Sequence, residues 1–530
     1  MAALIPDLLY RDGRFEAGLA VEYEPASGRI TRVRPAAELA AADDDGAAGA
    51  VERLPGRALL PGFINAHSHA FQRLIRGRTQ WRPAASPRAD FWSWREAMYG
   101  AALALSPEDV FDASRFCFLE MLRAGITTVG EFHYLHRDPG GRAYADPNEL
   151  AHRVAAAADA VGIRIALLNV CYATGAIGEP LRPEQRRFAT PALDEYLADT
   201  QALLDAYAPR GGDAGAAGAT GTEGAGGTGA TGSATGASGS TAVARSRGAA
   251  GASGTAAARP AAGTPTAARD RRITVGIAPH SVRAVPRAWL RELHAWAAER
   301  DVAFHMHVSE QPAEIEACVD AYGARPVELL AAEDVFDERF TAVHATHLTP
   351  EEIALLGDSG ATVCACPTTE RDLGDGFLPG AELLDADTRI ALGSDSHTVI
   401  DFFEEMRLVE YHERLRRLRR VVLAVPGAPE RLECAPLLLE LATEAGARSL
   451  RIDAGRIEAG ALADFTAVDL GHTALAGWTA ETLPAMLTLS APPDVVSDVW
   501  VGGVRRLEGR RHALDGEAAE AFRRVAAAIG

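Results

Sequence analysis

The chain contains no lysine: all 53 of its Lys+Arg residues are arginine. That absence excludes Schiff-base catalysis and a phosphate-binding loop ending in Gly-Lys-Ser/Thr. It also excludes a carboxylated lysine bridging two metal ions. Cysteine is scarce, with six residues in 530. Only Cys364 and Cys366 lie close together, and no second pair completes a zinc-ribbon spacing, so buried free thiols are expected. No stretch reaches the apolar length of a membrane span. The opening MAALIPDLLYRDGRF lacks a basic flank followed by a sustained apolar run and a cleavage site. A cytoplasmic protein without a membrane partner is therefore expected. Positive charge is in deficit, at a formal −19, which argues against a nucleic-acid surface.

What is present suggests an α/β enzyme. Nearly half the residues are hydrophobic, and the length permits a large core. Residues 1 to about 58 read as short strands and turns (DLLYRDGRF, LAVEYEPASGRITRV), and the C-terminal ADFTAVDL and VVSDVWVGGVRRL are similar in kind. Between them, ALLPGFINAH, GITTVGEFHY, IRIALLNVCY, ITVGIAPH, VAFHMHVSE, FTAVHAT, ATVCACP and RIALGSDSH read as strands. Helical patterns such as PEDVFDASRFCFLEMLRAG and RAWLRELHAWAAER separate them. This alternation predicts a parallel (β/α)8 barrel over 59–444, with a small β domain and C-terminal helix built from 1–58 and 445–530. Residues 211–268 are rich in Gly, Ala, Ser and Thr and are predicted to be a disordered insertion in the barrel. The insertion follows a helix and precedes a strand, which places it on the face opposite an active site.

The chemistry-bearing residues cluster at strand ends. His67 and His69 are two apart on a strand, so both imidazoles can face the barrel axis. His305-Met-His307-Val-Ser-Glu310 offers a second same-face pair followed by a carboxylate. His344 and His347 end the next strand, and Asp395 and His397 end the last one. Histidines and acids at successive strand ends converge on one site, as metal-assisted hydrolysis requires.

The order His-x-His, then His, His and a Gly-Ser-Asp strand end resembles the amidohydrolase superfamily. The resemblance implies a distorted TIM (β/α)8 barrel with a flanking β-sandwich-like domain. It also implies, with no lysine present, a single divalent ion, Zn2+, on His67, His69, His307 and Asp395. His305 competes for the third histidine position; His307 is preferred because it lies nearer the strand's C-terminal end and three residues before Glu310. The segments HSHAFQR (67–73), FWSWREAMY (91–99), EFHYLHRD (131–138), APHSVRAV (278–285), HVSEQ (307–311), VHATH (343–347), CPTTERDLGDG (366–376) and GSDSH (393–397) together are similar to the formimidoylglutamate deiminase family. That likeness implies hydrolysis of N-formimidoyl-L-glutamate to N-formyl-L-glutamate and ammonia, in histidine degradation. It assigns Asp395 to accept the proton of the attacking water, Glu310 to shuttle protons to nitrogen, and His344 to stabilise the tetrahedral centre. Arg95 and Arg283 are carried over as partners of the substrate carboxylates, and Gln72, Tyr134 and His280 as its hydrogen-bonding residues. Trp92 and Trp94 read as packing. Homodimers are common among similar enzymes, so a homodimer is expected.

Two other readings fit the sequence. A deaminase acting on guanine or another ring amidine would need a pocket shaped for a flat ring. A non-catalytic, metal-free relative acting as a binding protein would be expected to have lost ligand residues.

Overall fold

The computed structural model describes residues 1–43, 50–81, 91–208, 272–427 and 431–529. The predicted insertion at 211–268 lies outside the described residues.

Eight parallel strands form one sheet: β1 (Phe63–Ser68), β2 (Ile126–His133), β3 (Arg164–Cys171), β4 (Ile273–Pro279), β5 (Phe304–Val308), β6 (Phe340–His344), β7 (Thr362–Ala365) and β8 (Arg389–Leu392). Nearly every residue in them is buried, because each strand is covered on both faces. That double covering explains why they read as continuous apolar runs rather than alternating patterns. The first and last strands close the barrel through a parallel bridge between Ser68 and Asp395. There His69 N donates to Asp395 O at 3.1 Å, and Asp395 N to His67 O at 3.0 Å. Closure thus passes through residues of the strand-end clusters. Gly393 makes the approach possible, since a Cβ at that position would meet His67 Cβ at 2.8 Å and Cys366 Sγ at 3.0 Å.

Helices connect the strands on the outside. Between β1 and β2 lie α1 (Phe91–Ala104) and α2 (Pro107–Arg123). Helix α2 begins with a reciprocal Ser106–Asp109 capping box and Pro107 in its first turn, which satisfies N–H groups that would otherwise lack partners. Beyond β7, α3 (Pro367–Leu373) ends at Gly374 with φ +72°, a left-handed position that suits glycine.

The chain ends build a second eight-stranded sheet. Its main order is Val504–Leu507, Val496–Val501, Phe465–Asp469, Ala50–Pro61, Ala2–Arg11, Leu19–Glu24 and Arg29–Pro35, with Arg14–Ala17 paired to Ala2–Arg11. Leu9, Val21, Leu59, Phe465 and Trp500 are among the residues of its apolar core. A fully buried ion pair, Arg164 Nε to Asp464 Oδ2 at 2.9 Å, ties the start of β3 to this sheet.

Glu444–Ser449 is a helix beneath the barrel, where a Cβ on Gly446 would meet Ile64 O at 2.8 Å. Ser449 O faces His305 Nε2 at 3.0 Å. The C-terminal helix Asp515–Ala528 lies on α2, with Phe116 and Phe522 stacked at 4.3 Å. All six cysteines are free and buried. Among the described residues no helix is long and apolar enough to cross a membrane.

Candidate active site at the barrel mouth

The strand ends meet at the C-terminal mouth of the barrel. His67 and His69 close β1, His307 lies near the end of β5, His344 ends β6, and Asp395 follows β8. The backbone there is forced into the left-handed region at non-glycine residues: Ser309 (φ 52°), His344 (71°), Ala345 (51°), Asp395 (45°) and His397 (59°). Such conformations cost free energy and concentrate where side-chain direction matters more than local comfort.

The geometry of the first cluster calls for a cation. His67 Nε2 lies 3.2 Å from His69 Nε2 and 3.2 Å from His307 Nε2. Asp395 Oδ1 is 3.4 Å from His67 Nε2 and 3.3 Å from His69 Nε2. His69 Nδ1 faces Phe132 O at 3.0 Å and His307 Nδ1 faces His280 O at 3.0 Å. Each of those ring nitrogens must carry the proton, so both Nε2 atoms present bare lone pairs. Burial also keeps His67, His69 and His307 below their ordinary pKa, and neutral. Lone pairs facing lone pairs do not bond. The spacings are close to the edge of a tetrahedron whose corners lie about 2.0 Å from its centre, as around a divalent zinc-type ion. These four residues could therefore hold one metal ion. His305, two residues back on the same strand, is not among them; burial pulls its pKa down to about 4.

Behind the ligands, Asn65, Ser68, Glu131, Ser394 and His397 form a polar layer. Ser68 Oγ donates to Glu131 and lies 2.9 Å from His397 Nε2, while Ala70 N donates to Glu131 Oε1 at 2.7 Å. Burial pushes Glu131 up to about 8. This layer fixes the peptide between His67 and His69.

Beside the ligands lies an acidic wall. Burial works against a charged His344, but Glu310, Glu370 and Asp395 outweigh it and hold this imidazole well above its ordinary pKa. Its Nε2 is 3.6 Å from Glu310 Oε1 and 3.8 Å from Asp395 Oδ2, and its Nδ1 is 3.5 Å from Glu370 Oε1. Burial raises Glu310 and Glu314. Burial, with the charge of Glu310, pushes Asp375 up to about 9.

A cleft of about 510 Å3 opens over this centre. It is lined by Gln72, Arg95, Tyr134, His280, Arg283, Glu310 and His344, with His69, His307 and Asp395 at the metal cluster. The catalytic, substrate and metal residues carried over from the resemblance thus line the cleft or, for His67, belong to the same cluster, while His305, His347 and His397 do not. Gln72 Nε2 donates to Tyr134 Oη at 2.6 Å. The two arginines differ. Arg283 faces Glu310 at 3.7 Å and Glu314 at 4.0 Å. Arg95 has no ion-pair partner among the described residues; its guanidinium lies 4.5 Å over the Trp92 ring, and its buried Nε lacks a hydrogen-bond partner. Burial lowers its pKa. Trp92 is therefore a platform for Arg95, and Trp94 lines the cleft. Glu131, Glu370 and Asp375 carry no signal in the sequence that marks them as site residues. Glu370 and Asp375 lie within the segment 366–376, but His344, Glu310 and Gln311, which they face, come from elsewhere in the chain.

A model of the amidohydrolase family matches residues 58–506. The formimidoylglutamate deiminase of Pseudomonas aeruginosa is 33% identical over 526 residues, covering 99% of this chain and 97% of that protein. The 8-oxoguanine deaminase of the same organism is 27% identical, over 88% of this chain and 86% of its own length. The crystal structure of an amidohydrolase from Brucella melitensis matches with a TM-score of 0.78 and 28% identity, covering 100% of both chains.

Proposed function

The chain belongs to the amidohydrolase family, and on that premise we propose that it hydrolyses N-formimidoyl-L-glutamate to N-formyl-L-glutamate and ammonia, a step of histidine degradation. The observation that carries the reading is the polarity of the cleft. Its lining joins the three-histidine, one-aspartate cluster to buried acids, and it includes Arg95, which has no ion-pair partner among the described residues. The relative at 33% identity supports the same choice.

His67, His69, His307 and Asp395 would hold the ion, for which Zn2+ suits the donor set. Such an ion makes water nucleophilic near neutral pH and polarises the amidine. The remaining chemistry belongs to side chains. Asp395 takes a proton from the attacking water. The water oxygen bonds to the formimidoyl carbon, and the bond to the terminal nitrogen breaks. Glu310, 5% exposed and beside His344, delivers the proton that lets nitrogen leave as ammonia. The charged His344 stabilises negative charge developing at the tetrahedral centre. Arg95 and Arg283 hold the substrate carboxylates, with charge-assisted hydrogen bonds strengthened by burial. Gln72, Tyr134 and His280 orient the chain between the two ends.

A second reading, deamination of a flat ring amidine, is favoured by the aromatic lining of Phe91, Trp94, Tyr134, Tyr172 and Phe188. Product analysis tests the first. Incubation of the zinc-loaded protein with N-formimidoyl-L-glutamate should yield N-formyl-L-glutamate and ammonia in equal amounts. Glutamate and formamide would refute the bond assignment.

A further inference from the structure

One carboxylate of the acidic wall has no part in the chemistry above. Asp375 is 3% exposed. It sits between Gly374 (φ +72°) and Gly376 (φ +131°) just beyond α3. This sharp turn, which glycine permits, brings Asp375 against the ends of β5 and β6. Its Oδ1 accepts a hydrogen bond from Gln311 Nε2, while its Oδ2 is buried with no partner. Glu310, His344 and Asp375 each offer an atom within 4.8 Å of the other two.

Glu310 and Asp375 thus set two buried carboxyl groups against a single imidazole, an arrangement that a cationic ligand complements. An amidine is such a ligand at neutral pH: planar, positively charged, and bearing N–H groups that match carboxylate oxygens. A ring carbonyl or a neutral ring nitrogen is not.

We propose that Asp375 is a specificity-determining residue, whose free Oδ2 binds the protonated amidine nitrogen alongside Glu310 and selects amidinium substrates over neutral isosteres. This inference rests on the formimidoylglutamate reading and goes beyond it. It assigns the charge of the reacting group to a carboxylate, Asp375, that takes no part in proton transfer.

Substrate and product of the proposed reaction form the test pair. N-formimidoyl-L-glutamate and N-formyl-L-glutamate have nearly the same shape and differ at one end by C=NH2+ against C=O. Asp375→Asn, nearly isosteric, should raise KM for the substrate by about tenfold to a hundredfold, the range for a lost charge-assisted contact. The Ki of N-formyl-L-glutamate as a competitive product inhibitor should hardly change, and that unchanged value also shows that the variant's cleft is intact. Asp375→Ser provides a second variant should the amide perturb the turn, with the same split expected. Parallel changes in KM and Ki would overturn the inference, leaving Asp375 a shape-forming residue. No change in either would overturn it as well. So would a second bound metal ion lost with the Asp375 carboxylate. If instead the wild-type protein does not turn over N-formimidoyl-L-glutamate, the functional reading fails and the inference with it; that outcome is recognised because the failure lies in the wild type.

Discussion

His305 and His307 stand two residues apart on β5 and face the same side, yet the structure uses them differently. The deeper one lies in the base of the barrel, with Nε2 against Ser449 O at 3.0 Å. The outer one lies in the mouth, where its Nε2 meets His67 Nε2 at 3.2 Å. The same contrast separates the two regions. In the base, Arg164 binds Asp464, and Thr341 Oγ1 lies 3.0 Å from Ser449 Oγ. In the mouth, Arg95 Nε, Arg283 Nε, Glu314 Oε1, Glu370 Oε2 and Asp375 Oδ2 are buried without hydrogen-bond partners. A buried polar group without a partner costs stability; such atoms occur in the base too, His305 Nδ1 and Thr362 Oγ1 among them, but in the mouth they gather beside the cleft that Arg95 and Arg283 line.

Paired substitutions put that contrast to the test. The largest effect belongs to Asp395→Asn, which should lower kcat by about 10^2- to 10^4-fold, the range for loss of a proton-transferring group, with the fold retained by circular dichroism. The base should respond the other way. Asp464→Ala leaves the Arg164 guanidinium buried without its carboxylate and should cost about 3–5 kcal/mol of stability in urea unfolding, while kcat of the folded fraction stays near wild type. If Asp464→Ala instead abolished turnover without destabilising the fold, the division between the regions would fail. Next comes Arg95→Met, expected to reduce kcat/KM for the dicarboxylate by about tenfold to a hundredfold. Equal kcat/KM in the two proteins would remove Arg95 from the substrate site. The finest test is the histidine pair itself. By elemental analysis His307→Asn should lose its bound metal, whereas His305→Asn should keep one ion and show only a modest fall in melting temperature.

The barrel was legible because its strands are buried on both faces, and runs such as IRIALLNVCY and ITVGIAPH carry that burial openly. The mouth histidines were legible because a parallel barrel collects its strand ends in one place. Other features depend on contacts far apart in sequence. Nothing in EAGARS announces that Glu444–Ser449 is a helix beneath the barrel, since its distinguishing contact is Gly446 against Ile64. Glu370 and Asp375 look like ordinary acids in CPTTERDLGDG, and only the approach of β5 and β6 sets them beside Glu310 and His344. The two arginines show the same limit. Segment likeness could name both, but it could not show that Arg283 already faces two glutamates while Arg95 rests on Trp92.

The most direct test of the function is the ratio of kcat/KM for N-formimidoyl-L-glutamate to that for 8-oxoguanine, measured on one zinc-loaded preparation. A cleft lined by both buried acids and two arginines should favour the open-chain dicarboxylate by several orders of magnitude. A ratio below one would show that the aromatic lining, and not the paired charges, selects the substrate.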